Sequence, residues 1–331
     1  MPGESSKASR SALRPHVVIL GAGASRAAFP QGEGTGRKLP MLQELAGEIG
    51  LAEVLAAAGL TGTGDVETDV TRLYREGPPV ARRALEARIH EHFSIMRLPA
   101  APTIYDYLVL SLREKDVVAT FNWDPLLWQA ARRNQAVAPP PQLIFLHGNV
   151  AVGHCRRCSG DGPIGESCVG CGAPRERTPL MCPTGTKDCG AHPAIDAAWR
   201  EFKGALEVAE VVTVFGYSAP RTDGHVWAAV KEAWPGAGSR PLTALEIIDL
   251  PGGNAEKVRE RWGEFVQARQ WVTPRDFFDS RIARQPRRTC EMPGDYQPLP
   301  RTPSLTALQQ AVRPLVDKEK TAAVPRPVSC S

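Results

Sequence analysis

Four cysteines, Cys155-x-x-Cys158 and Cys168-x-x-Cys171, place four thiolates on two short knuckles. That donor set and spacing suit tetrahedral zinc, and Gly172 beside the last cysteine permits the tight knuckle turn. Four thiolates leave no open coordination position, so such a zinc is structural rather than catalytic. His154 abuts Cys155 and could be a spare metal ligand. Cys182 and Cys189 could form a second half-site, exchange into the first, or stand as free thiols, the last being favoured. Paired CxxC motifs behind an N-terminus with no apolar core segment speak for metal binding in a reducing, cytoplasmic compartment and against disulfides.

The remaining residues with chemical potential sit at the ends of short apolar runs. Thr120-Phe121-Asn122-Trp123-Asp124 follows one of them. There Asn122 can hold a carboxamide or position a water and Asp124 can orient it; an Asn/Asp turn closing a strand is the plainer account. His147, in Leu146-His147-Gly148-Asn149, can act as a general base near neutral pH, although a histidine in such a place is more often structural. His90 and His92 read as helix-surface groups. Gly21-Ala22-Gly23-x-Ser25 after the first apolar run lets a phosphate approach the backbone at a helix N-terminus; it also fits any tight α/β turn, and Arg26 stands where a full dinucleotide fingerprint has a third glycine. Gly216-Tyr217-Ser218 can offer N–H groups and a hydroxyl to a phosphate, or be an ordinary loop capping the next helix. Asp249 ends a further apolar run, a usual place to hold a ribose hydroxyl or simply to turn.

These residues need a scaffold, and the hydrophobic pattern supplies one. Apolar runs at His16–Leu20, Asp116–Phe121, Leu143–His147, Val211–Gly216 and Leu245–Leu250 read as buried strands. Helical periodicity falls between them, at Met41–Leu60, Val80–Leu98, Thr103 to about Lys115, Ala194–Glu210, Gly224–Trp234 and Glu256–Arg269. Strand and helix in alternation predict an α/β fold, a parallel sheet with helices on both faces. From His154 to Cys189 Gly, Pro, Cys and charge dominate, so 154–190 reads as a module inserted into one domain formed by 15–153 and 191–280. Residues 1–14 read as a disordered leader. Residues 281–331, with eight prolines, nine Lys/Arg and four Asp/Glu, read as an extended basic tail with one helix at Ser304–Leu315. At 42% hydrophobic and 23% charged the 331-residue chain is an ordinary globular protein. The formal net charge of +4 belongs to that tail. The folded body therefore offers no electrostatic reason to expect nucleic acid, and no apolar run is long enough to cross a membrane.

The order of these motifs resembles the sirtuin superfamily from about residue 16 to about residue 250. That resemblance implies a Rossmann-type domain with an inserted zinc module, binding NAD in the cleft between them. Gly21, Ala22, Gly23 and Ser25 would line the pyrophosphate. Asn122 and Asp124 would handle the nicotinamide ribose and carboxamide, His147 would be the catalytic base, and Gly216, Ser218 and Asp249 would serve the adenosine half. The departures are informative. Protein-deacylating sirtuins carry Gly-Ile-Pro-Asp-Phe-Arg after the glycine turn, where this chain has Gly36-Arg37-Lys38-Leu39-Pro40-Met41. They carry Gln before Asn-x-Asp, where this chain has Phe121, and Phe-Gly-Glu after the zinc module, where it has Pro179-Leu180-Met181-Cys182-Pro183, with Lys187 beyond.

Gly216-Tyr217-Ser218-x-Pro220-x-x-Asp223 looks like the divergent bacterial sirtuin-like proteins, many of which hydrolyse NAD in anti-phage defence. The leading expectation is therefore NAD hydrolysis to nicotinamide and ADP-ribose. Retention of the cysteine module favours the rival, an NAD-dependent protein-lysine deacylase, and the missing peptide-binding motif counts against it. A third expectation is a non-catalytic NAD or ADP-ribose sensor acting through a protein partner or a copy of itself, with the tail as docking segment.

Overall fold

The computed structural model describes residues 14–158, 160–182, 192–220, 223–234, 241–249, 253, 255–264, 266–292 and 294–323. The leader to residue 13, Lys187, Cys189 and Cys330 lie outside them. The strands are β1 (His16–Leu20), β2 (Val117–Thr120), β3 (Gln142–Phe145), β4 (Val152–His154), β5 (Asp161–Pro163), β6 (Glu176–Arg177), β7 (Val211–Phe215), β8 (Leu242–Ile248) and β9 (Ala268–Val272). Six of them form one sheet in the order β3-β2-β1-β7-β8-β9. Every pairing in it is parallel. The chain thus builds outward from β1 through β2 to β3, crosses back, and builds the other way from β7. This is the doubly wound Rossmann order, whose switch point lies between β1 and β7.

Alternate residues of β1 serve two cores. Val18 and Leu20 join a cluster with the helices Ala22–Ala28, Leu42–Glu48, Leu51–Ala57, Val66–Glu76, Pro79–Ser94, Ile104–Ser111 and Leu126–Asn134. Val17 and Ile19 join a second cluster on the opposite face with Pro193–Val208, Gly224–Ala233 and Ala255–Gly263. Burial on both faces is why these strands read as unbroken apolar runs.

Several expected elements differ in detail. The single helix expected at Met41–Leu60 is two, because Gly50 takes a left-handed φ of 63° and starts the second. The helix Val66–Glu76, whose N-terminus Asp65 caps, and β9 are both additions, and β9 occupies the end of the segment expected to be helical to Arg269. The tail is not an extended strap around one short helix. Its helix runs from Leu305 to Ala323, and Leu308, Val312 and Val316 enter the first core cluster on one i, i+4 stripe. Arg287, buried, donates from Nε and an Nη to the two Glu319 carboxylate oxygens at 2.7 and 2.8 Å, and Tyr107 Oη donates to the Pro300 carbonyl. The tail therefore packs over the helix Ile104–Ser111.

β1 starts on a fully buried histidine. His16 Nε2 lies 2.8 Å from Thr213 Oγ1, and Thr213 in turn donates to Glu246. Burial drives the His16 pKa down from 6.5 to about 3, with Asp116 offsetting only part of it. Folded His16 is thus neutral where an unfolded histidine would charge. Its contribution is complete above pH 6.5 and is lost as pH falls toward 3. That span corresponds to about 4–5 kcal/mol at 1.36 kcal/mol per unit. Acid unfolding followed by circular dichroism should shift to lower pH in His16→Gln; an unchanged midpoint would contradict this assignment.

Candidate functional site

A cavity of about 300 Å³ opens at the carboxyl ends of β1, β2, β7 and β8, the switch-point position where doubly wound sheets bind ligands. Gly21, Ala22, Gly23, Ser25, Asn122, Asp124, His147, Gly216, Ser218 and Asp249 all line it. The structure thus brings together every non-metal residue singled out from the sequence.

Asn122 is fixed most closely. Its Nδ2 donates to the Gly21 carbonyl at 2.9 Å and to Ser25 Oγ at 2.9 Å. A carbonyl can only accept, so the amide orientation is settled by its partners. Among the described residues nothing donates to Asn122 Oδ1, leaving that atom as the acceptor available to a ligand in the cavity. Asp124 reaches Asn122 only through Ser25. Tyr105 Oη lies 2.6 Å from Ser25 Oγ, and Ser25 donates to Asp124 Oδ2 at 2.7 Å. Burial raises the Asp124 pKa above its ordinary value against the opposing pull of Ser25 and the Leu126 N–H. Burial likewise raises the Tyr105 phenol, with Asp124 adding to the shift.

His147 is held by its backbone and by rings. Its carbonyl accepts the Met181 N–H at 3.0 Å, and Gly148, at φ 76°, follows it. A Cβ on Gly148 would stand 2.4 Å from the Pro179 carbonyl oxygen, so only glycine lets the segment leaving the cysteine module seat there. The Phe121 ring packs 4.9 Å from the His147 ring and stacks on Tyr217 at 4.5 Å.

The glycine turn, expected from the sequence to cradle phosphate, makes backbone bonds of its own. Gly21 N–H donates to the Phe215 carbonyl and Gly23 N–H to the Gly216 carbonyl, each at 3.0 Å. Two of its donors are therefore taken up in joining the β1 turn to the β7 turn across the switch point. Beyond Gly216, Ala219 holds a left-handed φ of 49°, and an Arg261 Nη donates to the Ser218 and Ala219 carbonyls at 2.7 and 2.8 Å.

The sequence reading missed Glu67, Phe93, Met181 and Leu39–Met41 in the cavity wall, and Tyr105 behind it on Ser25. Tyr105 is 1% exposed and lies on a helix that reads as plain core, and Met181 lies in the irregular cysteine segment, so periodicity gives neither away. His90 and His92 are half-buried rather than surface groups.

β4, β5 and β6 form a small antiparallel sheet in the order β5-β4-β6, and the four paired cysteines gather at it. Their sulfurs lie within 4.8 Å of one another. Four thiolates bound at about 2.3 Å to one zinc ion would be about 3.8 Å apart, so the cluster fits the metal with small adjustment. The Ala173 N–H lowers the Cys171 thiol, whereas its hydrogen bond with Cys171 pushes Cys158 up to about 12; four charges this close need a cation. His154 is not in the cluster: its Nδ1 lies 2.9 Å from Asp161 Oδ1. Cys182 is buried apart from it, near Tyr74 Oη. Among the described residues no helix is long and apolar enough to cross a membrane.

No family model matches the chain, and no curated protein matches its sequence. Solved structures do align over most of its length. A Sir2 complex with an inhibitor, 2′-O-acetyl-ADP-ribose and a deacetylated p53 peptide is 19% identical, with 78% of this chain and 87% of that one covered and a TM-score of 0.38. A Sir2–p53 peptide–NAD⁺ structure is 17% identical over 82% and 92% of the two chains, with a TM-score of 0.36. A structure described under the mechanism and regulation of Sir2 enzymes is 14% identical over 96% and 97%, with a TM-score of 0.37. With likenesses this loose, the fold assignment rests on the sheet order itself: the chain is a doubly wound α/β protein with a four-cysteine module.

Proposed function

We propose that this chain is a sirtuin-like enzyme that consumes NAD as substrate, hydrolysing it to nicotinamide and ADP-ribose. The observation that carries the reading is Asn122, whose Nδ2 is tied to Gly21 while its Oδ1 is left as the acceptor in a switch-point cavity that His147 also lines. In the reaction the bond between the nicotinamide nitrogen and the ribose C1′ breaks, and its electron pair leaves with nicotinamide. The ribosyl cation left behind takes up water, which then loses a proton. Asn122 Oδ1 holds the attacking water or a ribose hydroxyl, and His147 accepts the proton. Asp124 and Tyr105 are positioning residues, Asp124 acting on Asn122 through Ser25 and Tyr105 both through Ser25 and by accepting from Asn122 Nδ2 at 3.4 Å. The described lining carries four carboxyl side chains, Glu67, Asp124, Asp223 and Asp249.

Water is favoured over an acylated peptide as acceptor because the chain's own Met181 lines the cavity and takes the His147 carbonyl. Nicotinamide release by the purified protein, with and without an acetyl-lysine peptide, tests this. Release without peptide is expected. Release that requires peptide would make the chain a deacylase, and bound NAD with no release would make it a sensor. A role in anti-phage defence would follow only from the first result.

Cys155, Cys158, Cys168 and Cys171 would hold zinc, which when bound supplies a cross-link between the two knuckles. Cys168→Ser is expected to lower zinc from about one ion per chain to a small fraction of that by elemental analysis. It should also lower turnover, because Pro179–Met181 leaves this module to seat against His147. Unchanged zinc content would remove these four residues from the metal site.

A further inference from the structure

The segment between the helices Ala22–Ala28 and Leu42–Glu48 supplies Leu39, Pro40 and Met41 to the cavity wall. Connecting loops are commonly mobile and find their hydrogen bonds in water. This one is wound around a carboxylate. Glu33 is 3% exposed. Its Oε1 accepts the N–H groups of Thr35 at 3.0 Å and Arg37 at 3.4 Å, together with the Thr35 hydroxyl. Its Oε2 accepts the Arg97 N–H at 2.7 Å, tying the loop to the end of a separate helix.

The backbone closes on the same point. Glu33 N–H donates to the Arg37 carbonyl at 2.9 Å, Gly36 N–H to the Glu33 carbonyl at 2.7 Å, and Gly34 N–H to the Arg97 carbonyl at 2.6 Å. Gly32, at φ 93°, leaves no room for a side chain, since a Cβ would lie 2.5 Å from the Gly36 oxygen. A Cβ on Gly34 would lie 2.8 Å from the carbonyl oxygens of both Arg97 and Leu98. Burial alone would raise the Glu33 carboxyl, yet the donors from Arg97 and Thr35 outweigh it and hold it below its ordinary value. At the far end of the loop Glu44 accepts the Met41 N–H at 2.8 Å and an Arg26 Nη at 2.6 Å.

We propose that Glu33 is a positioning residue: its buried carboxylate holds residues 30–41 in their cavity-forming conformation before a ligand arrives, and so sets the affinity for NAD rather than the rate of bond cleavage. The affinity part rests on the NAD reading above; the clasp itself does not.

The test is Glu33→Ala in the full chain, read by amide hydrogen exchange without ligand and by steady-state nicotinamide release. Exchange across 30–41 should quicken by at least roughly tenfold while β1, β2 and β7 keep their protection. KM should rise by roughly tenfold with kcat within about twofold, the pattern of binding lost equally from ground and transition states. Glu33→Gln should fall between, because its amide oxygen can still accept from Thr35 and Arg37 but its NH₂ would face the Arg97 N–H. If the alanine variant does not fold, the glutamine variant carries the same two readouts. Unchanged loop exchange, faster exchange throughout the core, or a fall in kcat at constant KM would each overturn the proposal. Wild-type protein that binds no NAD would sink the cavity reading and the affinity claim, while faster exchange confined to the loop would still uphold the clasp.

Discussion

Asn122→Ala and His147→Ala are each expected to cut kcat for nicotinamide release by roughly 10²–10⁴-fold while the protein stays folded. The expectation follows from what each side chain touches. Asn122 is half-buried, and the partners it would abandon are otherwise provided for: Ser25 keeps Tyr105 at 2.6 Å and Asp124 at 2.7 Å. The structural cost is thus about that of one hydrogen bond, roughly 1 kcal/mol. Asn122→Asp should rescue nothing, although it is isosteric and retains acceptors, because a carboxylate facing the Gly21 carbonyl has no N–H to donate. The double variant should be little worse than either single one if the two act in one step. The measurements are kcat by nicotinamide release and the circular dichroism spectrum. Near wild-type activity in either alanine variant would remove that residue from the chemistry.

Gly216→Ala should damage folding far more than its size suggests. Gly216 sits at φ 60°, where an alanine is strained by about 1–2 kcal/mol. Steric contact costs more than that strain. The new Cβ would meet Ala24 N at 2.0 Å and the Gly23 carbonyl carbon at 2.3 Å, both backbone atoms. They cannot retreat cheaply, since Gly21 and Gly23 N–H groups are bonded to Phe215 and Gly216 carbonyls at 3.0 Å. A loss above about 4 kcal/mol is expected, a large part of the stability of a typical domain. Gly36→Ala is the control. It has a left-handed φ of 85° but nothing within 4 Å of the added carbon, so it should cost only about 1–2 kcal/mol of backbone strain. Thermal unfolding of the two variants side by side decides the point, and equal losses would mean that the switch-point contact is not tight.

The residues of the site are legible in the sequence because chemistry restricts residue types and because buried parallel strands write themselves as apolar runs. Asn122 and His147 each follow such a run, so the pattern of residues alone puts them at the carboxyl ends of strands. The four cysteines are legible by spacing alone. Tyr105 is not, because on a helix buried from Tyr105 to Ser111 a phenol looks like core. Glu33 is not, because three of its four donors are backbone N–H groups, which every residue carries and no sequence pattern marks. The tail misleads in a similar way: its prolines and arginines suggest an extended segment, whereas Leu308, Val312 and Val316 and the Arg287–Glu319 pair fold it onto the body.

By itself the sequence determined the alternation of strand and helix, the cysteine module and which side chains could do chemistry, since periodicity and residue type are local properties of a chain. The tertiary structure decided that β7 returns beside β1, that two glycine turns meet there in backbone contact, and that Asn122 offers an oxygen rather than an amide hydrogen to the cavity. Those depend on which backbone groups from distant parts of the chain come within hydrogen-bonding reach, and only the packing of the whole sheet sets that.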